Sequence, residues 1–172
     1  MICIIPAAGK AERMNGIPKM LLPVHDTTLL QKLICKMRRV ESPRRLRIGT
    51  RTLYGEMLFE RINEGGVIVY NAETATMSET VLLARDCTPG WEKEPVMLGL
   101  PDAYFEDEDV FPKLAAELRD GADVAVACFR TRPEQRHKLG MVDIGGCEVL
   151  RVEEKPAQTT LEWAWGALAR MR

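Results

Sequence analysis

A short loop near the start of the chain concentrates groups able to hold phosphate. The apolar run Ile2 to Ile5 breaks into Pro6-Ala7-Ala8-Gly9-Lys10-Ala11-Glu12-Arg13-Met14-Asn15-Gly16-Ile17-Pro18-Lys19, then returns to apolar Met20-Leu21-Leu22-Pro23-Val24. Ala7, Ala8 and Gly9 let a ligand approach the backbone, whose N–H groups can turn toward an anion, while Lys10, Arg13 and Lys19 place positive charge around it. That combination suits a nucleoside triphosphate. It is neither of the two best-known phosphate loops: Gly9-Lys10-Ala11 lacks the hydroxyl of a Walker A ending, and a dinucleotide fingerprint needs three spaced glycines where only Gly9 and Gly16 stand.

A second constellation is Leu98-Gly99-Leu100-Pro101-Asp102. A carboxylate just past an apolar strand, on the same sheet edge as the phosphate loop, can hold Mg2+ against triphosphate oxygens, and Asp102 is that carboxylate. The run Glu106 to Asp109 is read as a solvated helix start facing the positive end of the helix dipole. A third constellation is Glu153-Glu154-Lys155-Pro156, followed by Trp163-Ala164-Trp165-Gly166. Alternation along a strand gives at least one of the two tryptophans a core role.

Taken in order, small-small-Gly, Arg13-Met14, Pro18-Lys19 and Leu21-Leu22-Pro23-Val24 resemble the signature of the nucleotidyltransferases that include the sugar-1-phosphate nucleotidylyltransferases and the cytidylyltransferases of similar fold. One position departs from it: the glycine often found two residues after the first is Ala11, and alanine adopts positive φ at a cost. The resemblance implies a nucleotide-diphospho-sugar transferase type of fold and a Mg2+-dependent transfer of a nucleoside monophosphate from NTP to a sugar-1-phosphate or similar phosphorylated small molecule, as in the supply of nucleotide sugars. It implies catalytic roles for Arg13 and Lys19, nucleotide contacts at Ala7, Ala8, Gly9, Lys10, Thr76, Met77, Ser78 and Thr80, and a metal ligand in Asp102. It also implies acceptor contacts at Gly140, Glu154 and Lys155, with the acid toward sugar hydroxyls and the lysine toward the acceptor phosphate.

Two alternatives stay open. A glycosyltransferase of similar topology would use an Asp-x-Asp metal motif, which Asp107-Glu108-Asp109 approximates while leaving Arg13 and Lys19 without a role. A nucleotide- or sugar-sensing module without turnover gains from the end of the chain. Relatives supply a second metal-binding Asp after the aromatic-Gly strand, and no acid follows Glu162, so either the chain is a truncated piece or its metal site is one ligand short.

Composition bounds the rest. With 172 residues, 46% hydrophobic and 28% charged, the chain can bury a full core, and one domain over residues 1–172 is the simplest division. A net charge of −1 argues against non-specific nucleic-acid binding, so an anion site must arise from local placement of cations. The five cysteines, odd in number and widely spaced, read as reduced core thiols of a cytoplasmic protein. No run is long enough to cross a bilayer, and self-association is left open.

The elements that must position these residues alternate. Strands are expected at Ile2–Ile5, Leu46–Ile48, Val67–Tyr70, Val96–Leu98 and Val124–Phe129. Helices are expected after a cap at Asp26 or Thr27, at Glu56–Ile62, at Ser78–Cys87 and at Val110–Arg119. Beyond Phe129, Met141–Ile144 and Glu148–Glu153 around Gly145-Gly146 read as a hairpin. The whole predicts an α/β, Rossmann-like three-layer sandwich on a mostly parallel sheet, mixed at one edge, with ligands beyond the carboxyl ends of the strands.

Overall fold

A computed structural model describes residues 1–40, 46–51 and 67–171, the side chain of Arg13 excepted; the helix expected at Glu56–Ile62 lies outside the described residues. The first strand, β1 (Ile2–Ala7), is buried along its whole length, as a continuous apolar run in a sheet covered on both faces must be. It lies between β4 (Leu46–Thr50) and β6 (Val96–Gly99), parallel to both, and β5 (Val67–Asn71) adds a parallel strand beyond β4. A two-stranded ribbon of β2 (Pro23–Val24) and β3 (Thr27–Thr28) follows the phosphate loop.

The mostly parallel sheet expected from the sequence is present; the hairpin strand β9 (Glu148–Glu154) runs against it, and so does β10 (Trp163–Arg170). This strand runs antiparallel to β6 on one side and to β7 (Val124–Arg130) on the other, so it lies inside the sheet. Its first residues also pair with β8 (Gly140–Gly145), which forms the expected hairpin with β9 (Glu148–Glu154).

Strand periodicity divides the core in two. Cys3, Ile5 and Ala7 of β1 face α1 (Leu29–Met37) and α3 (Val110–Arg119), where Leu30, Leu33, Phe111 and Leu114 are buried. Ile2 and Ile4 face the other side, with Leu98 and with Ala84 of α2 (Met77–Asp86).

Both helices beside the phosphate loop open with a capping box. Thr28, one residue past the expected Thr27, accepts from the Gln31 N–H while the Gln31 side chain accepts from the Thr28 N–H. Thr76 and Glu79 do the same for α2, which therefore begins at Met77 with Ser78 inside its first turn.

The acidic run is more engaged than a solvated helix start. Glu108 Oε1 accepts from Lys36 Nζ at 2.5 Å, Asp109 from Arg39 at 2.7 Å, and Asp107 from Lys113 at 2.5 Å. Lys36 is buried, with its side chain 4% exposed; the Lys36–Glu108 and Arg39–Asp109 bonds brace the end of α1 against the start of α3, while Asp107 and Lys113 pair within the start of α3 itself. Neighbouring ammonium groups hold the Asp107 and Glu108 carboxyls below the usual carboxylate range.

The cysteine expectation needs correction. Cys3 alone is a buried core thiol, raised to about 11 by burial; Cys128 is half-buried and Cys35, Cys87 and Cys147 are exposed. Apolar neighbours in sequence do not bury a residue on the outer face of a helix or in a hairpin turn. No described helix is long and apolar enough to cross a membrane.

Candidate functional site

The carboxyl ends of β1, β5 and β6 open into a cavity of about 660 Å³, in the range of small-ligand sites. Ala7, Ala8, Gly9, Lys10, Lys19, Thr76, Met77, Thr80, Asp102 and Lys155 all line it, so residues scattered over the sequence from β1 to β9 meet at one place. Glu12 and Thr74 join them. Arg13 sits in the single 3-10 turn Glu12–Met14 at the rim of the same loop, with its side chain outside what the structure describes. Ser78 does not line the cavity.

The phosphate loop has the features that anion binding needs. Among the described residues, the backbone N–H groups of Gly9, Lys10 and Ala11 donate to no protein acceptor, leaving three consecutive donors beside the cavity. Gly9 carries no positive φ, and a Cβ built on it would meet nothing within 4 Å. Its backbone conformation therefore does not require glycine, and a side chain there would project into open space of the cavity. Ala11 occupies the left-handed region at φ 53°, as do Asn15 at φ 50° and Gly16 at φ 85°. The chain thus keeps the backbone conformation that a glycine would adopt freely, and the alanine bears about 1–2 kcal/mol of strain. Bonds from Met14 N–H and Gly16 N–H to the Ala11 carbonyl hold that turn in place.

The opposite wall belongs to the start of α2. Tyr70 donates from its hydroxyl to the Thr80 carbonyl at 2.7 Å, and burial pushes its phenol well above the ordinary value, so it stays a donor. Thr80, buried, donates to the Thr76 carbonyl at 3.2 Å and shares a 2.6 Å contact with the Thr74 hydroxyl. The Thr80 hydroxyl is thereby engaged within the wall, and its neighbours on the rim face the cavity.

Asp102 lies in the turn after β6, separate from the cap of α3, which is Asp109. Its Oδ2 accepts from Lys19 Nζ at 3.2 Å across the cavity mouth. With Glu12, Asp102 is one of two carboxylates in the cavity lining, which suits Mg2+, an ion bound through one or two carboxylates plus substrate phosphates; no group of three or more acidic, His or Cys side chains capable of caging a metal occurs among the described residues. The Asp-x-Asp alternative finds no support here. Asp107 and Asp109 are held by Lys113 and Arg39, and neither lines the cavity.

Gly140 and Glu154 stand opposite each other on β8 and β9, next to Lys155 but outside the cavity lining. A Cβ on Gly140 would run into the indole of Trp165, so glycine here lets the tryptophan lie across the strand. Lys155 takes φ 45°, donates its N–H to the Leu139 carbonyl at 3.0 Å, and places Nζ 2.7 Å from Glu154 Oε1.

Sequence reasoning missed Glu12, a carboxylate inside a cationic loop, and the pair Arg51 and Glu73. Arg51 donates from Nε to the Ala8 carbonyl at 3.2 Å and forms an ion pair with Glu73. No motif marks these residues; for the pair the available signal is only that Arg51 directly follows β4 and Glu73 comes two residues after β5, on the site's edge of the sheet.

No curated protein sequence matches the chain. In structure it is similar to a Bacillus anthracis protein assigned as a glucose-1-phosphate thymidylyltransferase and crystallised with sucrose. The TM-score is 0.80 at 17% identity, covering 99% of this chain and 71% of that one, a likeness of fold. The sequence matches the MobA-like NTP transferase domain over residues 3–158. With nearly its whole length matched, the chain belongs to the MobA-like NTP transferase domain family.

Proposed function

We propose that the protein transfers a nucleoside monophosphate from an NTP to a sugar-1-phosphate, or to a similar phosphorylated small molecule, with release of pyrophosphate. The observation that carries this reading is the set of three unclaimed N–H groups at Gly9, Lys10 and Ala11 in a cavity that also gathers Lys10, Lys19, Asp102 and Lys155. Two phosphorylated substrates repel one another, and a site that gathers anion donors with Lys10, Lys19 and Lys155 offsets that repulsion.

An acceptor phosphate oxygen attacks the α-phosphorus; the new P–O bond forms as the bond to the β-phosphate oxygen breaks, and pyrophosphate leaves in line. A phosphate monoester oxygen is already nucleophilic at neutral pH, so no general base is required. In this assignment the loop N–H groups and Lys10 bind the triphosphate, and Arg13 meets charge developing on the leaving pyrophosphate. Lys19 neutralises the α-phosphate region, and Lys155 orients the acceptor phosphate while Glu154 faces its hydroxyls. Asp102 would hold Mg2+ against the triphosphate, where the ion supplies charge neutralisation.

The test is a pyrophosphate-release screen of the common nucleoside triphosphates, each paired with sugar-1-phosphates and phosphocholine. Release that depends on both partners is expected. Triphosphate binding with no release for any pair would overturn the transferase reading and leave a sensing module.

A further inference from the structure

We infer that Arg51, fixed by Glu73, is a positioning residue that sets the anion-binding face of the loop after β1. The argument begins with the peptide unit joining Ala8 to Gly9. In a trans peptide the carbonyl of one residue and the N–H of the next lie in one plane and point in opposite directions, and the chain has no cis peptide bond. Arg51 Nε donates to the Ala8 carbonyl at 3.2 Å, so the carbonyl is turned toward the guanidinium and the Gly9 N–H is turned away from it. Ala8 and Gly9 both line the cavity and the Gly9 N–H meets no acceptor among the described residues, so the side away from Arg51 is where a ligand phosphate can be bound.

The guanidinium is itself held in place. Its NH1 pairs with Glu73 Oε2, and Arg51 and Glu73 follow the ends of β4 and β5, adjacent parallel strands. One planar group therefore ties together the chain segments leaving β1, β4 and β5. Lysine could not reproduce this, because a guanidinium offers several donors in fixed directions where an ammonium offers one point of charge. Arg51 is absent from the cavity lining, so its influence on a bound anion runs through the orientation of the loop. The inference rests on the triphosphate end of the proposed function and is independent of whether an acceptor is used.

The experiment measures two quantities on the full chain. Calorimetry gives the affinity for inorganic tripolyphosphate, which has no base, and 15N relaxation gives the order parameters of the Gly9 and Lys10 amides without ligand. Arg51→Ala is expected to weaken tripolyphosphate binding roughly tenfold, the size of one lost charge-assisted hydrogen bond, and to lower both order parameters. Glu73→Gln, which keeps an acceptor for the guanidinium, is expected to cause a smaller change of the same kind. Should the alanine variant not fold, Arg51→Lys is expected to show the same loosening, since a rotating ammonium on a flexible stem lacks the fixed fork that holds the Ala8 carbonyl and Glu73 at once.

Unchanged order parameters would overturn the inference. If affinity fell while the loop stayed ordered, Arg51 would be a direct phosphate contact and the positioning role would be lost. Absence of pyrophosphate release with every acceptor would overturn the transferase reading alone, because the relaxation measurement needs no substrate.

Discussion

Lys19 and Asp102 stand 83 residues apart in sequence and 3.2 Å apart in space, joined across the mouth of the cavity. Each side chain keeps over two-fifths of its surface exposed, 42% and 47%, so the pair is a weak surface ion pair that adds little stability. In the proposed function, a triphosphate entering with Mg2+ would offer each partner a stronger counter-charge. The pair therefore keeps a cation and a carboxylate close together in the free protein at small energetic cost to binding.

Asp102→Asn is expected to reduce Mg2+-dependent turnover by at least about a hundredfold, since the sole protein carboxylate proposed for the metal is lost. Stability should change by less than about 1 kcal/mol, the usual worth of such a pair. A Mg2+ titration of activity alongside thermal melts checks both; an unaltered titration removes Asp102 from the metal site.

Gly9→Ala separates folding from binding. The residue has no positive φ and its Cβ would meet no protein atom within 4 Å, so the variant should fold with stability within about 1 kcal/mol of the parent. The added methyl projects into the cavity, and triphosphate affinity should fall by about tenfold or more as the phosphate is pushed from the loop donors. Calorimetric titration decides, and wild-type affinity would show that the phosphate does not approach Gly9.

Lys155→Ala should raise the Michaelis constant for the acceptor about tenfold through loss of a charged contact, with triphosphate affinity near wild type. Because Lys155 already takes a left-handed backbone, alanine adds no new strain, and Lys155→Gly provides the strain-free control. Equal weakening of both substrates would assign Lys155 to structure.

The acid side of the stability profile should depend on the brace between α1 and α3. Asp107 and Glu108 have folded-state pKa values lowered first by side-chain hydrogen bonds from Lys113 and Lys36. Their contribution is present above the ordinary carboxylate value of about 4 and is lost as pH falls through the lowered folded values. Glu108→Gln should lower the melting temperature at pH 7 and flatten its decline below about pH 4; parallel melting curves for parent and variant would remove the brace from acid denaturation.

How much of this was legible follows from the range of the interactions. The loop after β1 was readable as a candidate anion site because its residues are contiguous and its chemistry is local, and the structure brings them to one cavity. Thr28 with Gln31 and Thr76 with Glu79 satisfy a four-residue capping pattern, and the expectations missed by a residue or two because Thr27 and Ser78 are nearby hydroxyls of the same type. The meeting of Lys19, Asp102 and Lys155 in one cavity agrees with the rule that ligands sit beyond the carboxyl strand ends. Partners distant in sequence left no local trace: the acidic run gave no hint of Lys36 and Arg39, and nothing marked Arg51 as the partner of Ala8.

The place of β10 carries a consequence for biosynthesis. It is the latest strand along the chain among the described residues, yet it fills the gap between β6 and β7 and also receives β8. During translation β1, β4, β5 and β6 can assemble as local parallel units, but β6 and β7 keep unpaired edges until Trp163 to Arg170 leave the ribosome. The β5-β4-β1-β6 half can thus take shape while the sheet is still open, and the interval before β10 inserts is when the nascent protein is most exposed to aggregation through those edges.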